Sequence, residues 1–149
     1  MKNKIELIPS EIKYLENVKL LLQENELPYE DIDVHFANFI LAKNENEIVG
    51  AIGLEKYDKV GLLRSFVVDK SLRNEKIGNK LLTTLLNNIV KMKLEKIYLL
   101  TTTAEKYFLN NGFQIEDKEN LPYEIKQTKE FKGLCPCSAV AMSLGLDNL

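Results

Sequence analysis

The middle of this 149-residue chain combines a continuous apolar run with a helical pattern. Residues Leu62 to Val68 are almost all apolar, which is typical of a strand buried on both faces. Asp69, Lys70 and Ser71 interrupt the run, and a short basic loop follows. Apolar residues then return at helical spacing and predict a long amphipathic helix: Leu81, Leu82, Leu85, Leu86, Ile89 and Val90.

The same reasoning predicts the remaining elements. Strands are expected at Ile5–Ile8, Phe36–Lys43, Glu47–Tyr57, Val60–Val68, Lys96–Thr102, Phe113–Glu116 and Ser138–Leu144. Shorter helical pieces are expected at Tyr29–Val34, Ala104–Asn111 and Leu121–Lys126. Ser10 is a suitable N-cap for a helix with an apolar stripe at Ile12, Leu15, Val18, Leu21 and Leu22. Thr103 is a suitable cap for the helix from Ala104, and Gly112 for its end.

This order of elements indicates the fold class. An antiparallel meander is followed by crossover units, which predicts an α/β fold with one central mixed sheet of about seven strands and helices on both faces. Gly50 and Gly53, inside one predicted strand, indicate close approach of another group to the backbone. The chain shows no repeat, low-complexity tract or linker, so residues 1–149 are expected to form one domain.

Composition excludes several classes of partner. The chain is 45% hydrophobic and 28% charged, with a net charge of −2 and both signs well mixed. Neither the basic balance nor the basic stripe of a nucleic-acid-binding protein is evident. No apolar run is long enough for a membrane span or a signal peptide, so the expected location is cytoplasmic. Cys135 and Cys137 flank Pro136, too close together for a disulfide staple, and are expected to be reduced and buried without metal.

The basic loop before the long helix is a candidate anion site. The first N–H groups of a helix have no internal partners, and the helix dipole favours negative charge there. Arg73 and Lys76 add two positive charges, and Gly78 follows them. Two interpretations stay open at this point: a cradle for a diphosphate, or an ordinary strand-to-helix turn with solvated charges.

A wider match favours the first interpretation. The RNEKIG loop and the later AEKYFLNNGF segment, in this order of elements, resemble the GCN5-related N-acetyltransferase (GNAT) superfamily. Arg73, Ile77 and Gly78 fit its phosphate-loop pattern, while Lys76 replaces the first glycine. Its second pattern is an aromatic-rich helix ending in Gly-Phe, which is matched by Tyr107, Phe108, Gly112 and Phe113.

A finer match is to the branch of N-acetylglutamate synthases and arsenic-resistance N-acetyltransferases, which the chain also resembles. Three segments carry it: Gly53–Asp69, Tyr98–Phe113 and Phe131–Met142. The Leu-Thr-Thr ending of the fifth strand is shared with glutamate-acetylating enzymes. The Gly-Leu-Cys-Pro stretch points more to the arsenic-resistance type.

The resemblance implies a place for acetyl-CoA between two splayed parallel strands. The pantetheine arm would pair with the backbone of Phe66, Val67 and Val68, and no metal would be needed. The diphosphate would lie on N–H groups of the following loop, beside Arg73. The residues of that loop are Asn74, Glu75, Lys76, Ile77, Gly78 and Asn79. Asn110 is a further candidate contact for the arm, or a polar residue at a helix end.

The implied reaction is direct attack of an amine on the thioester. Because the amine is mostly protonated at neutral pH, a base or a water chain is needed. Glu55 is the candidate base if its face of the strand looks into the cleft; otherwise it is an exposed strand residue. The superfamily often protonates the leaving thiolate with a tyrosine four residues before the Gly of Gly-Phe. That position is Phe108 here, which leaves Tyr107 or solvent as the donor.

Arg64 lies inside an apolar strand and therefore needs an anionic partner. A substrate carboxylate and an internal partner such as Glu55 are both consistent with the sequence. Ser65, on the opposite face, would lie near the cofactor or pack in the core. Thr101 and Thr102 would line the cleft as substrate contacts, although strand propensity and helix capping explain them equally well.

The resulting hypothesis is an N-acetyltransferase that acts on a small amino-acid-like amine, and Arg64 favours one that carries a carboxylate. No nucleic acid or membrane partner is expected, and the activity would be connected with resistance to arsenic or to toxic amino-acid analogues. One alternative is a protein or peptide N-acetyltransferase, which needs an open groove. Another is a CoA-binding module without turnover. A homodimer is common in the family that the chain resembles.

Overall fold

A seven-stranded mixed sheet forms the centre of the computed structural model, which describes residues 4–134 and 138–147. The strands are β1 (Ile5–Pro9), β2 (Ile40–Asn44), β3 (Glu47–Tyr57), β4 (Val60–Val68), β5 (Lys96–Thr101), β6 (Gln114–Glu116) and β7 (Val140–Gly145). Their spatial order is β1-β2-β3-β4-β5-β7-β6. Strands β4 and β5 are parallel, and the other neighbouring pairs are antiparallel. The predicted mixed sheet is therefore confirmed.

Helices connect the strands and cover the sheet. The α-helices are α1 (Leu15–Glu24), α2 (Ile77–Lys91), α3 (Glu105–Asn110) and α4 (Tyr123–Lys126). Short 3₁₀ helices span Ile12–Tyr14, Ile32–Asn38, Lys70–Glu75 and Lys118–Asn120, and a π-helical turn spans Glu130–Leu134. None of the described helices is both long enough and apolar enough to cross a bilayer.

Several predicted boundaries were wrong. A 3₁₀ turn precedes α1, so Ser10 is not its N-cap, and Ile12 is 79% exposed because it lies outside the helical phase of the buried stripe. The second strand begins at Ile40 because residues 32–38 are helical. The N–H of Ala104 is bound by the hydroxyl of Thr101, and Ala104 itself occupies the cap position predicted for Thr103.

Two glycines in β3 allow the close packing that the sequence predicted. A β-carbon at Gly53 would lie 2.3 Å from the ring of Phe39, so the ring lies directly on the strand. A β-carbon at Gly50 would lie 3.2 Å from Leu81 of α2. The two faces of the sheet thus bury separate apolar clusters, one under α2 and one under α1.

The parallel pair β4/β5 diverges along its length. Its pairing is limited to Val60, Gly61 and Leu62 against Lys96, Ile97 and Tyr98. Where pairing stops, β4 contains a bulge: Ala51 pairs with Val67 and Gly53 with Arg64, so two residues oppose Ile52. Ser65, in this bulge, has a left-handed φ of 56°. A bulge bends and twists its strand, and it lies where β4 separates from β5.

Candidate active site

The gap between the diverging strands is a cleft of about 370 Å³. Residues 63–66 of β4 line one side, and residues 99–104, at the end of β5 and the start of α3, line the other. Residues 26–28, Phe108 and Glu130 complete the wall. The lining is divided almost evenly between apolar residues and polar or charged ones, so the cleft offers a small molecule both apolar contacts and hydrogen-bonding groups.

The outer half of β4 continues from this cleft with one backbone edge unpaired. Val67 and Val68 pair with β3 on one edge, while pairing with β5 ends at Leu62. The second backbone edge of Phe66, Val67 and Val68 therefore has no strand partner among the described residues. Free peptide groups on a strand edge match the amides of an extended ligand arm.

The start of α2 lies beyond the end of β4. Lys76 precedes the helix with φ 60° and ψ 23°, and the N–H of Lys80 donates to its carbonyl at 3.3 Å. The N–H groups of Ile77, Gly78 and Asn79 therefore precede the first intrahelical donor. A β-carbon at Gly78 would lie 3.5 Å from the ring of Phe66, so this glycine faces β4. The geometry suits an anion at the end of an extended arm.

Lys76 occupies a conformation that favours glycine. A left-handed residue other than glycine costs about 1–2 kcal/mol. The glycine of the superfamily pattern would adopt this φ without that cost, which explains why the pattern has it. The fold retains the turn with a lysine in place.

Arg73 anchors the loop rather than standing free. Its Nε donates to the carbonyl of Val68 at 3.3 Å, and its Nη2 donates to Oδ1 of Asn25 at 3.1 Å. The guanidinium remains exposed beside the helix start. The backbone of Asn74 and Glu75 lies in the 3₁₀ helix 70–75, and their side chains lie outside the described part of the structure.

Arg64 is buried and fully engaged by the protein itself. Its Nη1 and Nη2 donate to the two carboxylate oxygens of Asp31, both at 2.7 Å. Nη1 also donates to Oε2 of Glu55 at 2.7 Å, Nη2 lies 3.2 Å from Oε1 of Glu130, and Nε donates to Oγ of Ser65 at 3.0 Å. Four of the five N–H donors of a guanidinium are thus bound by Asp31, Glu55 and Ser65, and Nη2 also forms an ion pair with Glu130. The internal pairing that the sequence left open is the arrangement observed.

Glu55 belongs to the same buried cluster. It is 1% exposed, and its second carboxylate oxygen accepts a hydrogen bond from the hydroxyl of Tyr57. His35 Nε2 lies 3.4 Å from that oxygen. Glu55 is not among the residues that line the cleft, and its two carboxylate oxygens are held by Arg64 and Tyr57.

Burial and charge shift the pKa values of this cluster. Burial alone would raise the pKa of Asp31, but the hydrogen bonds and positive charge of Arg64 outweigh it and bring that pKa below the ordinary 3.8. Burial raises the pKa of the Tyr57 hydroxyl, and the adjacent Glu55 raises it further. Tyr57 therefore stays protonated at neutral pH.

Tyr107 reaches the start of α2. Its hydroxyl donates to Oδ1 of Asn79 at 2.6 Å, and its ring lies 5.9 Å from that of Phe66. Burial raises the pKa of this hydroxyl. Phe108, at the usual tyrosine position, is 4% exposed and packs on Phe66 and Phe113.

The remaining predicted site residues differ in placement. Thr101 and Thr102 line the cleft, and the Thr101 hydroxyl also caps the chain before α3. Asn110 is an exposed residue at the end of α3. Cys135 and Cys137 lie outside the described residues. Within the described ranges, no group of three His, Cys, Asp or Glu side chains is arranged to hold a metal ion.

Sequence reasoning missed Asp31 and Glu130 as partners of Arg64. Asp31 lies in a turn and Glu130 begins the short π-helical turn Glu130–Leu134, and neither segment has the strand alternation or α-helical spacing that would indicate which way a side chain points. The lone arginine in an apolar strand was the available signal, and it indicated that acidic partners exist without identifying them.

Comparison with known proteins identifies the class. A family model described as an acetyltransferase (GNAT) domain matches residues 35–115, more than half of the chain. The chain therefore belongs to the GNAT acetyltransferase domain family. This confirms the family that the sequence resembles.

Curated relatives extend the similarity. An amino-acid acetyltransferase of Buchnera aphidicola subsp. Schizaphis graminum is 28% identical over 133 residues, which is 88% of this chain and 29% of the relative. One from Shewanella oneidensis is 25% identical, covering 81% of this chain and 27% of the relative. The chain thus spans less than a third of the length of these curated relatives.

Solved structures share the fold. A GNAT-family acetyltransferase from Staphylococcus aureus Mu50 is 27% identical with a TM-score of 0.78, covering 96% of this chain and 99% of that one. N-acetylglutamate synthase from Neisseria gonorrhoeae, complexed with coenzyme A and L-arginine, is 14% identical with a TM-score of 0.81. That match covers 98% of this chain and 34% of the synthase.

Proposed function

We propose that this chain transfers the acetyl group of acetyl-CoA to the amine of a small amino acid by direct attack on the thioester. The observation that carries the proposal is the divergence of β4 and β5 into a cleft beside the free start of α2. This arrangement supplies a strand edge for an amide-rich arm and N–H groups for a diphosphate.

In this proposal acetyl-CoA runs along the outer half of β4. The backbone of Phe66, Val67 and Val68 pairs with the pantetheine arm, and the N–H groups from Ile77 to Asn79 hold the diphosphate. Arg73 and Lys76 add positive charge beside the same helix start. The thioester then lies at the inner end of the arm, towards Ser65 and the point where the two strands meet.

The proposed acceptor follows from the relatives and the cleft. The curated relatives are named amino-acid acetyltransferases, which supports a free amino acid as the acceptor. Because the guanidinium of Arg64 is engaged by four residues of the protein itself, the hydroxyls of Thr101 and Thr102 are the proposed polar contacts for the acceptor. The Arg64 cluster supports the cleft wall.

The acceptor amine must lose a proton before or during attack. Glu55 is buried and bound to Arg64 and Tyr57, which disfavours it as the base. We therefore propose that the proton leaves through water at the open end of the cleft. A Glu55→Gln variant should keep the wild-type pH–rate profile if this is so, and a lost basic limb would assign the role to Glu55.

Two measurements test the proposed function. Acetyl-CoA at 100 times its Kd should stabilise the protein by about 2.7 kcal/mol, seen as a thermal shift; no shift at millimolar concentration would refute the cofactor assignment. Free thiol release should then be assayed with amino acids, their decarboxylated amines, a peptide and an amino-acid-like arsenical. Preference for a free amino acid supports the proposal, and preference for the peptide supports a protein-acetylating enzyme.

The same assay distinguishes a binding module and a resistance enzyme from the proposed amino-acid acetyltransferase. Acetyl-CoA binding without thiol release with any acceptor would indicate a binding module. This outcome is tested because Phe108 replaces the tyrosine that often protonates the leaving thiolate. A rate with the arsenical above that with ordinary amino acids would support a resistance role. The proposed homodimer is tested by light scattering on the purified chain.

A further inference from the structure

Ser65 is a buried polar residue at the inner end of the cleft, where β4 separates from β5. It is 8% exposed, it lines the cleft, and it lies in the bulge of β4 with φ 56°. Serine is uncommon in this conformation. The left-handed φ therefore has a cost in backbone energy, and the conformation places a hydroxyl in the wall of the cleft. The strand residues that follow Ser65 are apolar.

The hydroxyl of Ser65 has a defined donor and a free proton. Nε of Arg64 donates to Oγ at 3.0 Å, so Oγ acts as the acceptor in that bond. A hydroxyl carries one donor in addition to its acceptor lone pairs. Among the described residues the Ser65 proton has no acceptor, which leaves it available to a molecule in the cleft.

We propose that Ser65 is a catalytic residue whose hydroxyl donates a hydrogen bond to the carbonyl oxygen of the thioester. The inference rests on the proposed function, because the acetyl group must lie at the inner end of the arm beside Ser65. Phe66, Val67 and Val68 hold the arm, and Ser65 is the next residue towards the closed end of the cleft.

The chemistry needs such a donor. The amine nitrogen forms the new C–N bond, and the π electrons of the carbonyl move onto its oxygen. When the carbonyl re-forms, the C–S bond breaks and its electron pair leaves on the thiolate, while the amine proton passes to water. Ser65 keeps its own proton throughout and stabilises the negative oxygen, the form of catalysis in which one donor contributes about 10²–10³-fold to kcat.

Arg64 acts here as a positioning residue. Its guanidinium is fixed by Asp31, Glu55 and Glu130, and its Nε then holds Oγ of Ser65. Donation from a cation also makes the hydroxyl a stronger donor. The buried ion cluster thereby connects with the reacting atoms through a single hydrogen bond.

Because Ser65 has a left-handed φ, two variants can separate the effect of its hydroxyl from the effect of its backbone strain. Ser65→Gly removes the hydroxyl and suits the backbone conformation, whereas Ser65→Ala removes the hydroxyl and keeps the strain. We expect kcat to fall by about 10²–10³-fold in both variants, with the Kd for CoA unchanged. Ser143→Ala, which removes a buried serine hydroxyl bonded to Glu116 on β6, is the matched control and should keep the wild-type kcat.

A second readout does not depend on turnover. The infrared carbonyl stretch of bound [1-¹³C]acetyl-CoA should lie at lower frequency in the wild type than in Ser65→Gly, because the hydrogen bond weakens the C=O bond. Wild-type kcat and an unchanged carbonyl stretch in Ser65→Gly would overturn the assignment of Ser65 alone. Failure of the wild type to bind acetyl-CoA would overturn the proposed function as well.

Discussion

Arg64 on β4 binds both carboxylate oxygens of Asp31, which precedes the 3₁₀ helix 32–38, through two hydrogen bonds of 2.7 Å. Two parallel bonds of this kind fix direction as well as distance. The pair connects the segment that covers one side of the sheet to the strand that lines the cleft. Glu55 and Glu130 complete the set of carboxylates around the same guanidinium.

Loss of this guanidinium should destabilise the protein strongly. Arg64→Met keeps much of the side-chain volume but leaves buried carboxylates without their cation, and such a loss typically costs about 3–5 kcal/mol. Urea unfolding measures the change in the free energy of unfolding. Lys59→Met is the matched control, because its pair with Glu95 has side chains 66% and 63% exposed, and exposed pairs contribute at most about 1 kcal/mol. Equal effects in the two variants would contradict the structural role of the cluster.

Asp31 should make the stability depend on pH in acid. Its pKa in the folded protein lies below the ordinary 3.8, so the unfolded state binds more protons in the interval between the two values. The stabilisation is therefore complete above the unfolded pKa and is lost as pH falls through the folded pKa. Asp31→Asn should flatten the fall in the free energy of unfolding between about pH 5 and pH 1, measured by urea titrations at several pH values.

This measurement needs a background correction, because Glu116 also has a lowered pKa through Ser143 and Lys96. Its contribution is present in both proteins and cancels in the difference. If Asp31→Asn and the wild type lose stability in parallel on acidification, Asp31 is not the group responsible.

The unit β4–loop–α2 was predictable because its signals are local. An apolar run indicates a buried strand, and helical spacing over four turns indicates the buried face of α2. Gly112, predicted to end α3, has φ 93°. Local chemistry also indicated that Arg64 needs a partner and that Glu55 was a candidate for it.

The rest depends on long-range contacts that no local pattern contains. Phe36 and Phe39 resemble strand residues, yet Phe39 packs on Gly53 and Phe36 is in a 3₁₀ helix. The left-handed φ of Ser65 arises from the register shift between β3 and β4, which is a property of the pair. Asp31 and Glu130 contact Arg64 only in the folded chain, so their place in the site is a property of the fold.

Lys76 should lower the stability of the fold through its left-handed backbone and strengthen acetyl-CoA binding through its positive charge. Lys76→Gly relieves the left-handed strain, whereas Lys76→Ala keeps it, so the glycine variant should be more stable than the alanine variant by about 1 kcal/mol. Both remove the ammonium, so both should bind acetyl-CoA more weakly than the wild type and to a similar extent. Calorimetric titration at low and high salt checks this, since screening should reduce the loss. Unchanged affinity in both variants would exclude a phosphate contact by Lys76.

Gly78 should show opposite effects on stability and on binding. It lies in the first turn of α2, where alanine is favoured over glycine by up to about 1 kcal/mol, and its β-carbon would meet Phe66 at an ordinary 3.5 Å. Gly78→Ala should therefore fold at least as stably as the wild type. The added methyl group occupies the space between α2 and β4 where the arm is proposed to pass, so the Kd for CoA should rise about tenfold or more, equivalent to ~1.4 kcal/mol.

Gly53→Ala provides the contrast. Its β-carbon would lie 2.3 Å from the ring of Phe39, so the variant should lose stability by about 1–3 kcal/mol through overpacking. Because Gly53 lies outside the cleft lining, the folded fraction should retain the wild-type Kd for CoA. A Gly78→Ala variant with unchanged affinity would place the arm elsewhere.

Tyr107 should act on cofactor binding more than on the chemical step. Its hydroxyl is bound to Asn79 in the first turn of α2, the helix start proposed to hold the diphosphate. Tyr107→Phe keeps the ring against Phe66 and removes that hydrogen bond, so KM for acetyl-CoA should rise several-fold while kcat changes little. A general acid would instead contribute about 10²–10⁴-fold to kcat, and a loss of that size would assign the proton donor to Tyr107. The double variant with Asn79→Ala should be no worse than the more affected single variant, because both remove the same bond.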